Sequence, residues 1–222
     1  LVVIRHLLGE PEQASSPVDT HKEAAVLLEE LMSIYKANYP QGRERLIRTV
    51  YEATAGVYGN KAFASGQTYL EHTLEVAIDV ARWQGGEEVI TAALLHKSNK
   101  RQLSQVLKQL KPVTKEQTRR KIAGMIERIS RVNQMPYVDG QRINAIKGGR
   151  TLQNYMNMIV QMAVDADTLL LVFAEKLQSM PRAATPHEKT YHYQELMHIY
   201  APLAKRLNAI NINKDLINEA FR

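Results

Sequence analysis

Apolar residues return every three or four positions through most of this chain, the period of a helix with one buried face. The first such run carries Leu27, Leu28, Leu31, Met32 and Tyr35. It opens at Asp19-Thr20, with Glu23 three residues past Thr20 as a capping box requires. Tyr39-Pro40-Gln41-Gly42 breaks it, and residues 43–57 predict a second helix that buries Leu46, Ile47, Val50, Tyr51 and Thr54. After a loop over 58–66, Tyr69 starts a helix through Leu74, Val76, Ala77, Val80 and Ala81 that stops at Gly85-Gly86. Residues 87–96 are almost wholly apolar, which places them at the centre of a core. Further helices are expected over 103–110, from Thr114 (with Gln117 as capping partner) through Ile129, over 151–163, 169–180 and 187–208, and from about Asn213 onward. Pro202 lies inside the 187–208 run, so a kink is expected there. Residues 1–18 read as a loosely tied arm, and 131–150 as the longest irregular stretch. No segment alternates as a strand does, and no repeat of 20–50 residues is present. The expected fold class is all-α.

Composition narrows the class without changing the fold. A chain of 222 residues with 45% hydrophobic content fills one large core, or one domain with an appendage. The absence of cysteine excludes disulfides and thiolate metal sites. No apolar run reaches the roughly 18–20 residues that cross a bilayer, and residues 1–8 lack a small-residue cleavage site. A cytoplasmic protein with no membrane contact is expected. The net charge of +6 is unevenly spread, because residues 97–150 hold 14 Lys/Arg against 3 Asp/Glu and the remainder is net acidic. This basic middle suits an anionic contact (a nucleotide, the ribosome or other RNA, an acidic protein face) or else a solvated helix face. It has no interleaved aromatic platform for RNA bases.

Of seven histidines, His6, His21, His187, His192 and His198 have no partner that spacing identifies. His72 and His96 each sit at the margin of a strongly apolar helix, and Glu175 lies within a third apolar run. A carboxylate in such surroundings needs a partner, because burying it alone is costly. A shared metal site is one solution, and separate structural roles are the other.

Several motifs together resemble the hydrolase-type HD domain of the RelA/SpoT family, the enzymes of (p)ppGpp turnover. Tyr69-Leu-Glu-His72 is similar to that family's Tyr-Ile-x-His-Pro, and Ala92-Ala-Leu-Leu-His96 to its Ala-Ala-x-Leu-His-Asp. Phe173-Ala-Glu175-Lys-Leu-Gln-Ser179-Met resembles Leu-Ala-Asp-Arg-Leu-His-Asn-Met. Ile199-Tyr-Ala-Pro-Leu-Ala-Lys-Arg-Leu207 nearly repeats Ile-Tyr-Ala-Pro-Leu-Ala-x-Arg-Leu. The resemblance spans residues 45–222 and implies an HD-domain helical bundle. It divides the chain into an N-terminal arm and helix (1–42), a degenerate HD domain (43–208) and the start of a linker helix (209–222). That linker leads, in the family, to a synthetase domain that this chain does not contain.

The resemblance also implies a metal held by two histidines and two aspartates. The histidines match His72 and His96, but the aspartates fall on Lys97 and Glu175. The acidic pair that handles the attacking water falls on Lys100 and Arg101, the substrate-loop arginine on Phe63, a preceding histidine on Tyr58 and the motif asparagine on Ser179. An ammonium in place of a carboxylate ligand changes the charge beside a dication by two units. Each unit pair at contact is worth about 4 kcal/mol at an effective dielectric near 20. The resemblance therefore implies a catalytically inactive HD domain, with no catalytic residue and no cofactor, that regulates an adjoining GTP pyrophosphokinase in the stringent response. Its partner would be that synthetase domain in cis if the chain is a fragment of a longer protein. The cations Lys97, Lys100 and Arg101 suit the phosphates of a guanine nucleotide, or else they reach solvent or pair with Glu175. The alternative is a (p)ppGpp 3′-pyrophosphohydrolase with a rebuilt His72/His96/Glu175 site holding Mn or Zn.

Overall fold

The structure, a computed structural model, describes residues 20–135 and 149–222. The expected N-terminal arm, the Asp19-Thr20 cap and residues 136–148 of the expected irregular stretch lie outside the described residues or side chains. Among the described residues there are helices and no strand; Ala62 and Thr68 form one isolated bridge. The all-α expectation holds.

The chain begins with α1 (Thr20–Asn38), α2 (Glu44–Tyr58), α3 (Tyr69–Arg82) and α4 (Glu87–Leu95). It continues through α5 (Lys100–Gln109), α6 (Glu116–Asn133), α7 (Gly149–Ala163) and α8 (Ala166–Leu177). A short α9 (Ser179–Arg182) precedes α10 (Pro186–Glu195), a π-helical turn (Leu196–Tyr200), α11 (Ala201–Arg206) and α12 (Ile210–Ala220). The helix α4 is the axis of the core. Its residues Val89 to Leu95 are all buried, and it packs against α2, α3, α6 and α8. Because α4 is apolar on every side, it is stable only when enclosed, and burying each of its larger side chains contributes about 1.5–3 kcal/mol. The helix α1 closes over α3 and places Leu31 and Tyr35 in the same core, so the span read as arm and helix is continuous in packing with the HD span. Gly42 lies against the Tyr35 ring, where a side chain would collide, and this close approach lets the Tyr35 hydroxyl reach Glu87.

Helix starts are where the sequence expectation needs correction. The helix α5 begins at Lys100 rather than 103, because Asn99 accepts from the Gln102 N–H while Gln102 reaches back to the Asn99 N–H. Thr114 does not cap α6; its hydroxyl donates back to the Leu110 carbonyl at 2.7 Å, and Lys115 holds the cap position. The irregular stretch begins later than expected, since α6 runs to Asn133, and α12 starts at Ile210 rather than Asn213. Where a kink is expected at Pro202, the structure has a π-helical turn just before the proline. A proline cannot donate to the carbonyl one turn back, and a widened turn accommodates its ring.

One face of α3 carries Glu71, Glu75 and Asp79 at successive i+4 positions. Burial pushes Glu75 up to about 7, against a hydrogen bond from Gln67, and burial likewise raises Asp79 to about 6. A carboxyl whose folded value exceeds its unfolded one binds protons more tightly in the folded state. Its presence therefore costs stability progressively as pH rises from about 4.5 to 7, and fully above that. Glu75→Gln keeps an acceptor for Gln67 and removes the charge. It is expected to stabilise the protein at pH 8 by on the order of 1 kcal/mol, discounted for partial exposure, and to do nothing at pH 4.5. Thermal melts of the two proteins at both pH values check this, and an equal difference at both would contradict it.

Candidate functional site

Three helix ends converge on one buried point. Thr68 caps α3 in a reciprocal box with Glu71, which sets the helix direction and brings His72 inward in the first turn, with no exposed surface. The apolar α4 ends at Leu95, and His96 follows as its C-cap, with Nδ1 2.6 Å from the Ala93 carbonyl. Asp165 caps α8, whose last turn delivers Glu175, only 3% exposed. Oε2 of Glu175 then lies 2.7 Å from His72 Nε2 and 2.9 Å from His96 Nε2. Its other oxygen, Oε1, accepts from the Lys97 ammonium at 2.6 Å.

Burial works against charge on each member, and the outcome follows from which partners are charged. Burial holds His72 down at about 4 and pushes His96 down as well, so both rings stay neutral near pH 7 despite the adjacent carboxylate. For Glu175 burial pushes upward, but the Lys97 ammonium, with the two imidazoles behind it, outweighs burial and holds the carboxyl well below its usual range. The cluster is therefore an ion pair between Glu175 and Lys97, flanked by two imidazoles. Phe63 forms its cover, with its ring edge-on to His72 at 5.2 Å, tilted against Tyr69 at 4.6 Å, and with the Lys97 ammonium 5.7 Å from its centre. Tyr58 is buried nearby against Tyr69, its hydroxyl donating to the Leu94 carbonyl and accepting from Ser98.

The residues picked out in the sequence thus divide in two. His72, His96, Lys97, Glu175 and Phe63 meet in space. Lys100 and Arg101 stand in the first turn of α5, exposed, while Lys97 turns inward to Glu175 rather than outward beside them. Ser179 is buried and donates to the Lys176 carbonyl. Sequence reasoning missed a second polar knot next door, in which Lys176 pairs with the buried Glu195 at 3.2 Å and lies 5.2 Å from the Tyr200 ring. His192 completes it, 3.4 Å from Glu195. Glu195 sits at the end of a polar helix, and only the neighbouring apolar turn Leu196–Tyr200 hints at its burial.

Ligand atoms of His72, His96 and Glu175 lie within 4.8 Å of one another, and two imidazoles with one carboxylate form a set zinc accepts. The full constellation does not fit the hydrolytic ion of the resembled family. One carboxylate oxygen is already held by an ammonium, and the resemblance expects a carboxylate ligand where Lys97 stands and acids where Lys100 and Arg101 stand. Zinc or manganese entering beside Lys97 would face a fixed like charge at a cost of several kcal/mol.

A family model described as "HD domain" matches residues 50–210 of this chain. The guanosine-3′,5′-bis(diphosphate) 3′-pyrophosphohydrolase of Aquifex aeolicus (strain VF5) is 28% identical over 203 residues, covering 90% of this chain and 27% of its own length. The bifunctional (p)ppGpp synthase/hydrolase SpoT of Escherichia coli (strain K12) is 23% identical over 200 residues, 88% of this chain and 26% of that protein. A GTP pyrophosphokinase rsh of Brucella ovis is 25% identical over 201 residues, with 87% and 24% covered. The chain spans about a quarter of the length of these relatives. With the matching family model covering most of the chain, and with relatives of this kind, the chain belongs to the HD domain family, in its RelA/SpoT branch.

Proposed function

We propose that this chain is a pseudo-hydrolase: an HD scaffold in which the Lys97 ammonium supplies the positive charge that a metal supplies in active members, and which regulates (p)ppGpp metabolism rather than cleaving (p)ppGpp. One observation carries the reading, the 2.6 Å pair between Lys97 and the buried Glu175. The exposed cations Lys100 and Arg101 add to it, because a neighbouring carboxylate is what would accept a proton from the attacking water. The activity being regulated is a GTP pyrophosphokinase in the same polypeptide, a function that appears in the name of one of the relatives. The test is release of pyrophosphate from (p)ppGpp by the purified chain, with manganese or zinc supplied. No turnover above buffer is expected, and metal-dependent release would overturn the reading.

A second reading is favoured by one specific feature. If His96 donates its Nδ1 proton to the Ala93 carbonyl, Nε2 presents a lone pair to the Glu175 carboxylate at 2.9 Å, and a cation between them would relieve the repulsion. Such a site would bind zinc or manganese through His72, His96 and Glu175, and the same assay would then show turnover.

A further inference from the structure

The helix α5 and the first turns of α6 flank an open groove of about 590 Å³, lined by residues outside the Glu175 cluster. Leu103 and Leu107, four residues apart on one face of α5, are half-buried in its floor. Lys100, Lys108 and Lys111 line it from the α5 side and Arg119 from α6. The only acid in the lining among the described residues, Glu116, is occupied by Arg120 one turn along. Lys100, Lys108 and Lys111 make no ion pair among the described residues. The groove lies in the segment that concentrates the chain's positive charge, residues 97–150.

We infer that this groove is a docking site for an acidic amphipathic helix of a partner protein. The argument rests on charge complementarity and on the apolar floor together. Four cations around two leucines present a stripe of apolar surface edged with ammonium and guanidinium groups. A helix carrying Leu or Met at i and i+4, with Glu or Asp on the flanking positions, fills the stripe and meets the charges at once. Nucleic acid is the weaker match. Its phosphates suit the lysines, but the lining includes no aromatic ring on which a base would stack, and a phosphate backbone gains nothing from the leucines. The long lysine stems favour a peptide too, since they cover apolar surface while their heads follow a partner's carboxylates.

The test uses fluorescence anisotropy on the whole chain at about 150 mM salt, where exposed charges alone are largely screened. The probe is a labelled synthetic helix with leucines at i, i+4 spacing and glutamates on the flanks. Controls are the same helix with its leucines changed to serine, and a single-stranded RNA. The leucine–glutamate helix is expected to bind, with Lys108→Glu/Lys111→Glu weakening it by about tenfold or more. Both positions are exposed, so the double variant is expected to melt with the wild-type protein, which a thermal scan confirms. Equal binding of the serine helix or the RNA would make the groove a simple polyanion surface and overturn the inference. So would no binding of the leucine helix, or binding unaffected by the charge reversal.

Discussion

Replacing Lys97 by alanine is expected to destabilise this domain by about 3 kcal/mol at neutral pH, far more than an ordinary surface lysine contributes. Removing one partner of a buried ion pair typically costs about 3–5 kcal/mol because the other charge is left uncompensated. Glu175 is almost fully enclosed, whereas the Lys97 side chain keeps 19% of its surface, which puts the effect at the lower end. The pairing also predicts strong non-additivity. Lys97→Met with Glu175→Gln removes both charges while keeping volume, an acceptor for the His72 Nε2–H and an amide donor for the His96 Nε2, so the double variant is expected to recover most of the loss. A urea-denaturation cycle over the four proteins measures the coupling. Additive losses would mean that Lys97 does not neutralise Glu175. The pH dependence has a definite sign. With the folded-state value of Glu175 held well below 4.5, its contribution is fully present above about 4.5 and is lost as pH falls through that lower value. His72, held neutral at about 4, adds a loss in the same direction as pH falls from about 6.5 to 4.

Lys97→Asp is expected to have the opposite metal behaviour to the wild-type chain. Without metal the variant places a second carboxylate beside Glu175, and like charges at that distance disfavour the folded state. With zinc or manganese, two histidines and two carboxylates supply the four donors of a closed site. A ligand at one hundred times its dissociation constant stabilises by about 2.7 kcal/mol, which for a domain of this size raises the melting temperature by roughly 5–10 °C. The same metal is expected to leave the wild-type melting temperature unchanged. Hydrolysis is not expected to return in this variant, because the resemblance expects water-handling acids where Lys100 and Arg101 stand. A metal shift of equal size in the wild-type protein would show that Lys97 yields to the ion.

The apolar helices turned His72, His96 and Glu175 toward a core but left open whether they meet; it was the resemblance to HD-type motifs that assigned all three to one site, and the structure brings them together. Where Lys97 points was not legible. A lysine stem reaches equally well toward solvent or inward, and the decision depends on a carboxylate 78 positions away. Phe63 read only as a lost arginine, although its ring closes the cluster against His72 and Tyr69. The pair of Lys176 and Glu195 escaped because a lone charge at the end of an apolar helix and another at the end of a polar one carry no periodic signal, and Glu195 is buried where the following turn Leu196–Tyr200 packs on α8. Polar starts such as Asn99-Lys100-Arg101-Gln102 hid a full helical turn for the same reason: the cap is a local hydrogen-bond pair, invisible to an apolar period. The basic groove was half visible, as a charge imbalance without a shape.

The central claim is that an ammonium of the chain itself occupies the role of the metal. Metal stoichiometry of the wild-type chain, measured by elemental analysis after dialysis against zinc and then against manganese, tests it most directly. No retained ion is the predicted result. One ion per chain, lost on mutation of His72 or Glu175, would contradict the account and return the site to the metal-binding members of its family.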